Sequence, residues 1–111
     1  MNGEAQNMDV FEIQAGFFKA LSHPSRLKIL EALKEKDSCV CDLVDFVKEP
    51  QPQVSRHLAA LKAAGILTAE KKGARTCHRI KDKNVMKLIE LSLKIIKAKN
   101  ENIMSALEKG E

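Results

Sequence analysis

Three cysteines and one short polar run are the residues in this chain whose types and spacing could do chemistry. Cys39 and Cys41 are one residue apart, and Cys77 follows 36 positions later. Thiolates are soft donors that select soft or borderline metal ions. The same groups can be oxidised, and a free cysteine can also serve as a small half-buried apolar side chain. An odd count, with two members one residue apart, does not make a secreted disulfide framework, so reduced thiols are expected. The polar run is Gln51, Gln53, Ser55, Arg56 and His57. Amide and guanidinium side chains can pair with base edges in the major groove of DNA. Lys62, Lys71, Lys72 and Arg75 follow as candidate phosphate contacts. Ser55 and His57 diverge on a helix, and no carboxylate is placed to orient His57 as a base. No glycine-rich phosphate loop is present. The sequence therefore argues against an enzyme and implies no organic cofactor.

The apolar pattern shows how these groups are carried. Residues 1–8 are polar and without period, and read as a flexible terminus. Val10, Ile13, Phe17, Ala20 and Leu21 recur at helical spacing and predict an amphipathic helix over 9–21. Ser22-His23-Pro24 stops it, with His23 at a cap position. Pro24 suits the first position of a second helix, 24–35, marked by Leu27, Ile29, Leu30 and Leu33. Ser38-Cys39-Val40-Cys41 predicts a short strand, and Asp42 an N-cap for a third helix over 43–47. Lys48-Glu49-Pro50 is a turn. Pro52 then falls in the first turn of a fourth helix, whose inward face is Val54, Leu58 and Leu61 and whose end is Gly65 in a left-handed cap. Beyond Gly65 the period becomes two. Runs 66–71 and 75–80 flank a basic tip and predict a hairpin, with His78 a structural residue of it. From Asn84 a helical pattern returns and runs to 108. Two short helices joined by a tight turn, with a basic hairpin directly after the second, form a winged helix-turn-helix. The fold class is mainly α with a small antiparallel β-wing.

Composition agrees. The 111 residues make one domain, 1–111, and leave no room for a separate effector module. Apolar residues are 44% of the chain, with four Phe and no Trp or Tyr, so the core must be aliphatic. Lys and Arg number 19 against 15 acidic residues, a net charge of +4, and the excess lies in the middle of the chain. That is a bias towards a polyanion such as double-stranded DNA. No apolar run approaches the ~20 residues that span a bilayer, and no secretory leader pattern is present, so a cytoplasmic location without membrane contact is expected. Phe17, Phe18 and the stripe over 85–107 exceed what one small domain needs for its own core, which predicts a homodimer. Residues 84–108 would serve as the dimerisation helix.

Three segments carry a resemblance: Phe18 to Leu27 (FKALSHPSRL), Cys39-Val40-Cys41-Asp42-Leu43, and Val54-Ser55-Arg56-His57-Leu58 with Ala64-Gly65-Ile66-Leu67 after it. Together they resemble the ArsR/SmtB family of metal-sensing repressors over nearly the whole chain. The resemblance implies a homodimer through the first and last helices, bound to a palindromic operator and released by an effector. Cys-Val-Cys-Asp-Leu is similar to the segment by which arsenical-responsive members bind As(III) or Sb(III). Those members carry a further cysteine where this chain has Val44, and commonly an Asp where it has His23. The last helix holds no His, so the family's zinc site across paired last helices has no counterpart. Strand alternation suggests a replacement: if Val40 and Ile80 point inward, Cys39, Cys41 and Cys77 lie together on the outer face of the wing sheet. The expectation is a metal(loid)-responsive repressor with As(III), Sb(III) or another thiophilic ion as effector. The alternatives are a thiol-redox repressor of the same fold and a thiol metal-buffer or protein-interaction module that does not bind DNA.

Overall fold

The computed structural model describes residues 9–99, which form five helices and three strands. The helices are α1 (Val10–Leu21), α2 (Pro24–Leu33), α3 (Val40–Val47), α4 (Gln51–Ala63) and α5 (Asn84–Lys99). The strands are β1 (Ser38–Cys39), β2 (Leu67–Lys72) and β3 (Arg75–Ile80), arranged as an antiparallel sheet of order β1-β3-β2. The expected terminus 1–8 and the continuation of the last helix over 100–108, with Ile103 and Leu107, lie outside the described residues. The chain divides into two compact units between Lys81 and Asp82.

Local chemistry accounts for most boundaries in the first unit. Asp9 caps α1, its carboxylate accepting from the Phe11 amide at 2.9 Å. His23 caps α2 through Nδ1, which accepts from the Ser25 amide at 3.2 Å, and Pro24 follows at the position where a missing N–H costs nothing. α4 ends in a Schellman arrangement: the Gly65 and Ile66 amides donate to the Lys62 and Leu61 carbonyls, both at 3.0 Å, with Gly65 at φ 78°. The hairpin β2–β3 closes on Gly73-Ala74, where φ 66° at Gly73 supplies the turn that joins strands of right-handed twist.

Ile29 and Leu30 of α2, Leu43 of α3, and Val54 and Leu61 of α4 are fully buried and form the centre of the core. Each such side chain contributes roughly 1.5–3 kcal/mol by leaving water. α3 packs on both α2 and α4, so the helix-turn-helix is built directly on this aliphatic centre.

One element departs from expectation. The strand predicted over 38–41 is only Ser38–Cys39, and α3 begins at Val40 rather than after Asp42. β1 pairs with β3 only at Ser38 (opposite His78) and Cys39 (opposite Cys77); β3 runs on through Thr76 and Arg75, but the chain turns helical at Val40. Asp42 therefore lies in the first turn of α3, where the helix dipole favours a carboxylate, and Cys39 holds the cap position without a side-chain bond to the helix amides. The alternation assumed for Cys39 and Cys41 does not apply, because Cys41 is on a helix.

In the second unit, α5 starts with the Asn84 amide donating to the Asp82 carboxylate at 2.9 Å and carries basic residues Lys97 and Lys99 in its described last turn.

Candidate DNA interface and thiol centre

α3 and α4 are joined by Lys48-Glu49-Pro50. Lys48 adopts the left-handed conformation (φ 65°) and its amide closes α3 on the Val44 carbonyl at 2.8 Å. Gln51, Gln53, Ser55 and Arg56 of α4 are exposed, while Val54, Leu58 and Leu61 are buried. A helix face of amides, a hydroxyl and a guanidinium is thus presented outward at the start of the second helix of the pair. Lys62 is exposed in the last turn of α4, and Lys71, Lys72 and Arg75 are exposed around the hairpin tip.

His57 departs from the expected polar face. It is 9% exposed and turned inward, so it is not available to a base edge. The Arg26 Nε–H donates to its Nδ1 at 3.1 Å, and its Nε2 faces Glu49 Oε1 at a longer 3.4 Å. Burial pushes the pKa of His57 below its usual value, His23 and Arg26 lower it further, and Glu49 opposes them. Glu49 itself is held below its usual range, chiefly by the Ser25 hydroxyl, which donates to Oε2 at 2.5 Å. His78, the wing residue, is buried with Nδ1 unpartnered among the described residues, and burial lowers its pKa.

At the other end of α3, Cys39 Sγ and Cys41 Sγ lie 2.8 Å apart and both cysteines are free. The Asp42 carboxylate is 3.4 Å from the Cys39 sulfur, and the Arg75 guanidinium reaches the same sulfur at 3.9 Å. Sharing a proton with Cys39 is the main reason the Cys41 thiol is raised above its usual pKa. The donor atoms of Cys39, Cys41 and Asp42 all lie within 4.8 Å of one another, a group able to hold a metal ion. Cys77 is directly opposite Cys39 across β1 and β3, on the same face of the sheet, and is not in that group of three. Sequence reasoning placed Asp42 as a cap and so missed it as a donor. Its position three residues after Cys39 at a helix start was the available signal. Arg26, Ser25 and Glu49 gave no such signal.

With this geometry in hand, the similarities of the chain are informative. Residues 23–69 match the bacterial regulatory proteins of the arsR family. The chain is 45% identical over 85 residues to an uncharacterized HTH-type transcriptional regulator of Methanocaldococcus jannaschii, across 76% of this chain and 96% of that one. It is 38% identical over 80 residues to the cadmium resistance transcriptional regulatory protein CadC of Listeria innocua, across 71% and 67% of the two. Its fold matches the solution structure of a homodimeric winged helix-turn-helix DNA-binding domain from Mycobacterium bovis, a possible ArsR-family regulator. That match has TM-score 0.73 and 25% identity over 86% of this chain and 88% of the other. This chain belongs to the ArsR family of winged helix-turn-helix transcriptional regulators, which are DNA-binding proteins rather than enzymes.

Proposed function

We propose that this protein is a repressor that binds a palindromic operator as a homodimer and leaves it when Cys39 and Cys41 capture a thiophilic ion. As(III), Sb(III) and a soft divalent metal are the candidate effectors. The observation that carries the reading is the pair of sulfurs 2.8 Å apart at the start of the first helix of the DNA-binding pair. With metal–sulfur bonds of about 2.3 Å for zinc, two sulfurs this close need only part slightly to hold one ion. Asp42, already beside Cys39, suits a borderline metal as third donor. Cys77, its cross-strand neighbour, would complete the all-sulfur set that a softer ion prefers.

An ion bound here grips β1 and the first turn of α3 together. α4 follows after three residues, so a shift of α3 changes how the face of Gln51, Gln53 and Arg56 meets DNA. By linkage, DNA must weaken ion binding by the same factor. Dimerisation is supported by the homodimeric relative and by apolar residues exposed in each unit: Val10, Phe11, Ile13 and Phe18 in α1, and Leu91, Leu93, Ile95 and Ile96 in α5.

The test is titration of the reduced protein on a DNA duplex with arsenite, Cd(II), Zn(II) and peroxide, with bound mass read by native mass spectrometry. Ion-driven release should occur in the wild type and fail in Cys39→Ser and Cys41→Ser. Release by arsenite or Cd(II) that persists in the double variant would sink the thiol reading. Release by peroxide alone would replace it with dithiol oxidation, which the same sulfur pair permits.

A further inference from the structure

The part-buried polar group on the far side of the helix-turn-helix, with Ser25 and His57 its buried members, goes beyond the thiol reading, because it needs only DNA binding. Its members come from three segments. Arg26 and Ser25 are in the first turn of α2, with His23 at the cap; Glu49 is in the turn; His57 is on α4. Arg26 also donates through Nη1 to the Ala20 carbonyl at 3.3 Å, so one guanidinium holds the end of α1 and the middle of α4.

We propose that His57 is a positioning residue for DNA binding: the neutral ring, clasped between Arg26 and Glu49, fixes the recognition helix against α2, and the clasp opens when the ring takes a second proton.

The hydrogen-bond chemistry leaves one neutral form. A guanidinium N–H can only donate, so His57 Nδ1 must offer its lone pair, and the ring proton sits on Nε2 facing Glu49. A second proton must go on Nδ1, where it meets the Arg26 N–H donor to donor. The new charge also lies beside the Arg26 guanidinium and the His23 ring, whose centroid is 4.4 Å away. Glu49 is the one group that gains, so the Glu49 side tightens while the Arg26 side opens. The titratable and charged groups facing His57 are therefore Arg26 and His23 from α2 and its cap, and Glu49 from the turn. Burial already disfavours the charged ring.

The readout opposes ordinary electrostatics. Acidification makes any protein more positive, which strengthens contact with DNA phosphates. Here sequence-selected binding should weaken instead, approaching about tenfold per pH unit once most His57 rings are charged, because only the neutral fraction is competent.

The experiment uses the full chain, reduced and with chelator, and a duplex that the protein itself selects from a random pool at neutral pH. Fluorescence anisotropy is read at constant ionic strength from about pH 7.5 down to about 4.5, past the ordinary histidine range because burial lowers the pKa of His57. Wild-type affinity for the selected duplex should fall with pH while affinity for a random duplex holds or rises. In His57→Gln, whose amide can accept from Arg26 and donate to Glu49 without titrating, the fall should vanish with neutral-pH affinity largely kept. A wild-type affinity that is flat or rises all the way to about pH 4.5, or an equal fall in His57→Gln, overturns the proposal. Should that variant not fold, the ring nitrogen chemical shifts of the wild type decide. The expected form is an Nε2–H ring at pH 7 that gains its Nδ1 proton in step with the loss of affinity. A ring charged at pH 7, or titrating out of step, overturns the proposal equally.

Discussion

The two ends of the helix-turn-helix are stabilised over very different distances in the chain. At the start of α3, Cys39, Cys41 and Asp42 fall within four consecutive residues, and one strand pairing and the first helical turn suffice to gather them. At the turn into α4, Ser25, Arg26, Glu49 and His57 come from separate segments and meet only because α2, α3 and α4 share the core of Ile29, Leu30, Leu43 and Val54. A local cluster needs little folded structure to hold its ligand, whereas a clasp built across segments exists only as long as the core does. Under the proposed function the first end would sense its ion with modest demands on stability, while the clasp depends on the packing of α4.

The largest effect that could break this comparison is expected from Leu43→Ala. Leu43 is fully buried in α3, between the two ends, and its truncation should cost about 2–5 kcal/mol in urea unfolding. Well above its unfolding midpoint, where the folded fraction is small, the variant should lose DNA binding, while native mass spectrometry should still detect a weakly held thiophilic ion on the local thiol pair. Simultaneous loss of both would show that the thiol end depends on the core as fully as the clasp does.

The same contrast explains what was legible in the sequence. Helical periods of apolar residues, Pro24, Gly65 and the switch to period two were enough to place five helices and the hairpin, because each is a local signal. The Cys-Val-Cys spacing marked the sulfur pair for the same reason, although the two-residue extent of β1 was not readable: the chain enters α3 at Val40 while β3 still runs on through Thr76 and Arg75. His57 was misread as part of the polar face because it stands in a polar run, and one helical position separates an outward Arg56 from an inward His57. No spacing rule links residue 26 to residue 57. Only the tertiary contact reveals the pair.

Arg56 and His57 make a second, smaller test, since adjacent residues are assigned to surface and interior. Arg56→Ala should weaken binding of the selected duplex by roughly 1–3 kcal/mol. As an exposed residue it should shift the unfolding free energy by no more than about 0.5 kcal/mol, at any pH. Unchanged affinity in the folded variant would remove Arg56 from the interface. A large loss of stability would place it in the core network instead.

The smallest effects are in the pH dependence of stability, where the two ends should act on opposite limbs. His57 has its pKa lowered in the folded protein, so as pH drops below the usual 6.5 the unfolded ring takes its proton first. Stability is then lost downward from about that point, until the folded ring is charged too. Glu49, held below the usual 4.5, extends the loss: its contribution is present above that range and disappears as pH falls through its lowered folded value. Buried His78 adds a loss of the same sign as His57. Cys41 is raised above the usual 9.0, so the unfolded thiol ionises first as pH rises. Its contribution is complete below that value and fades above it. Thermal midpoints measured across pH should show His57→Gln shallower on the acid limb alone, and Cys41→Ser shallower on the alkaline limb alone. Both changes should be small, because Cys41 and part of Glu49 are open to solvent and their interactions are screened. An acid limb that Cys41→Ser alters as much as His57→Gln does would mean that the two ends titrate as one coupled unit, and the division between a local sensor and a packed clasp would fail.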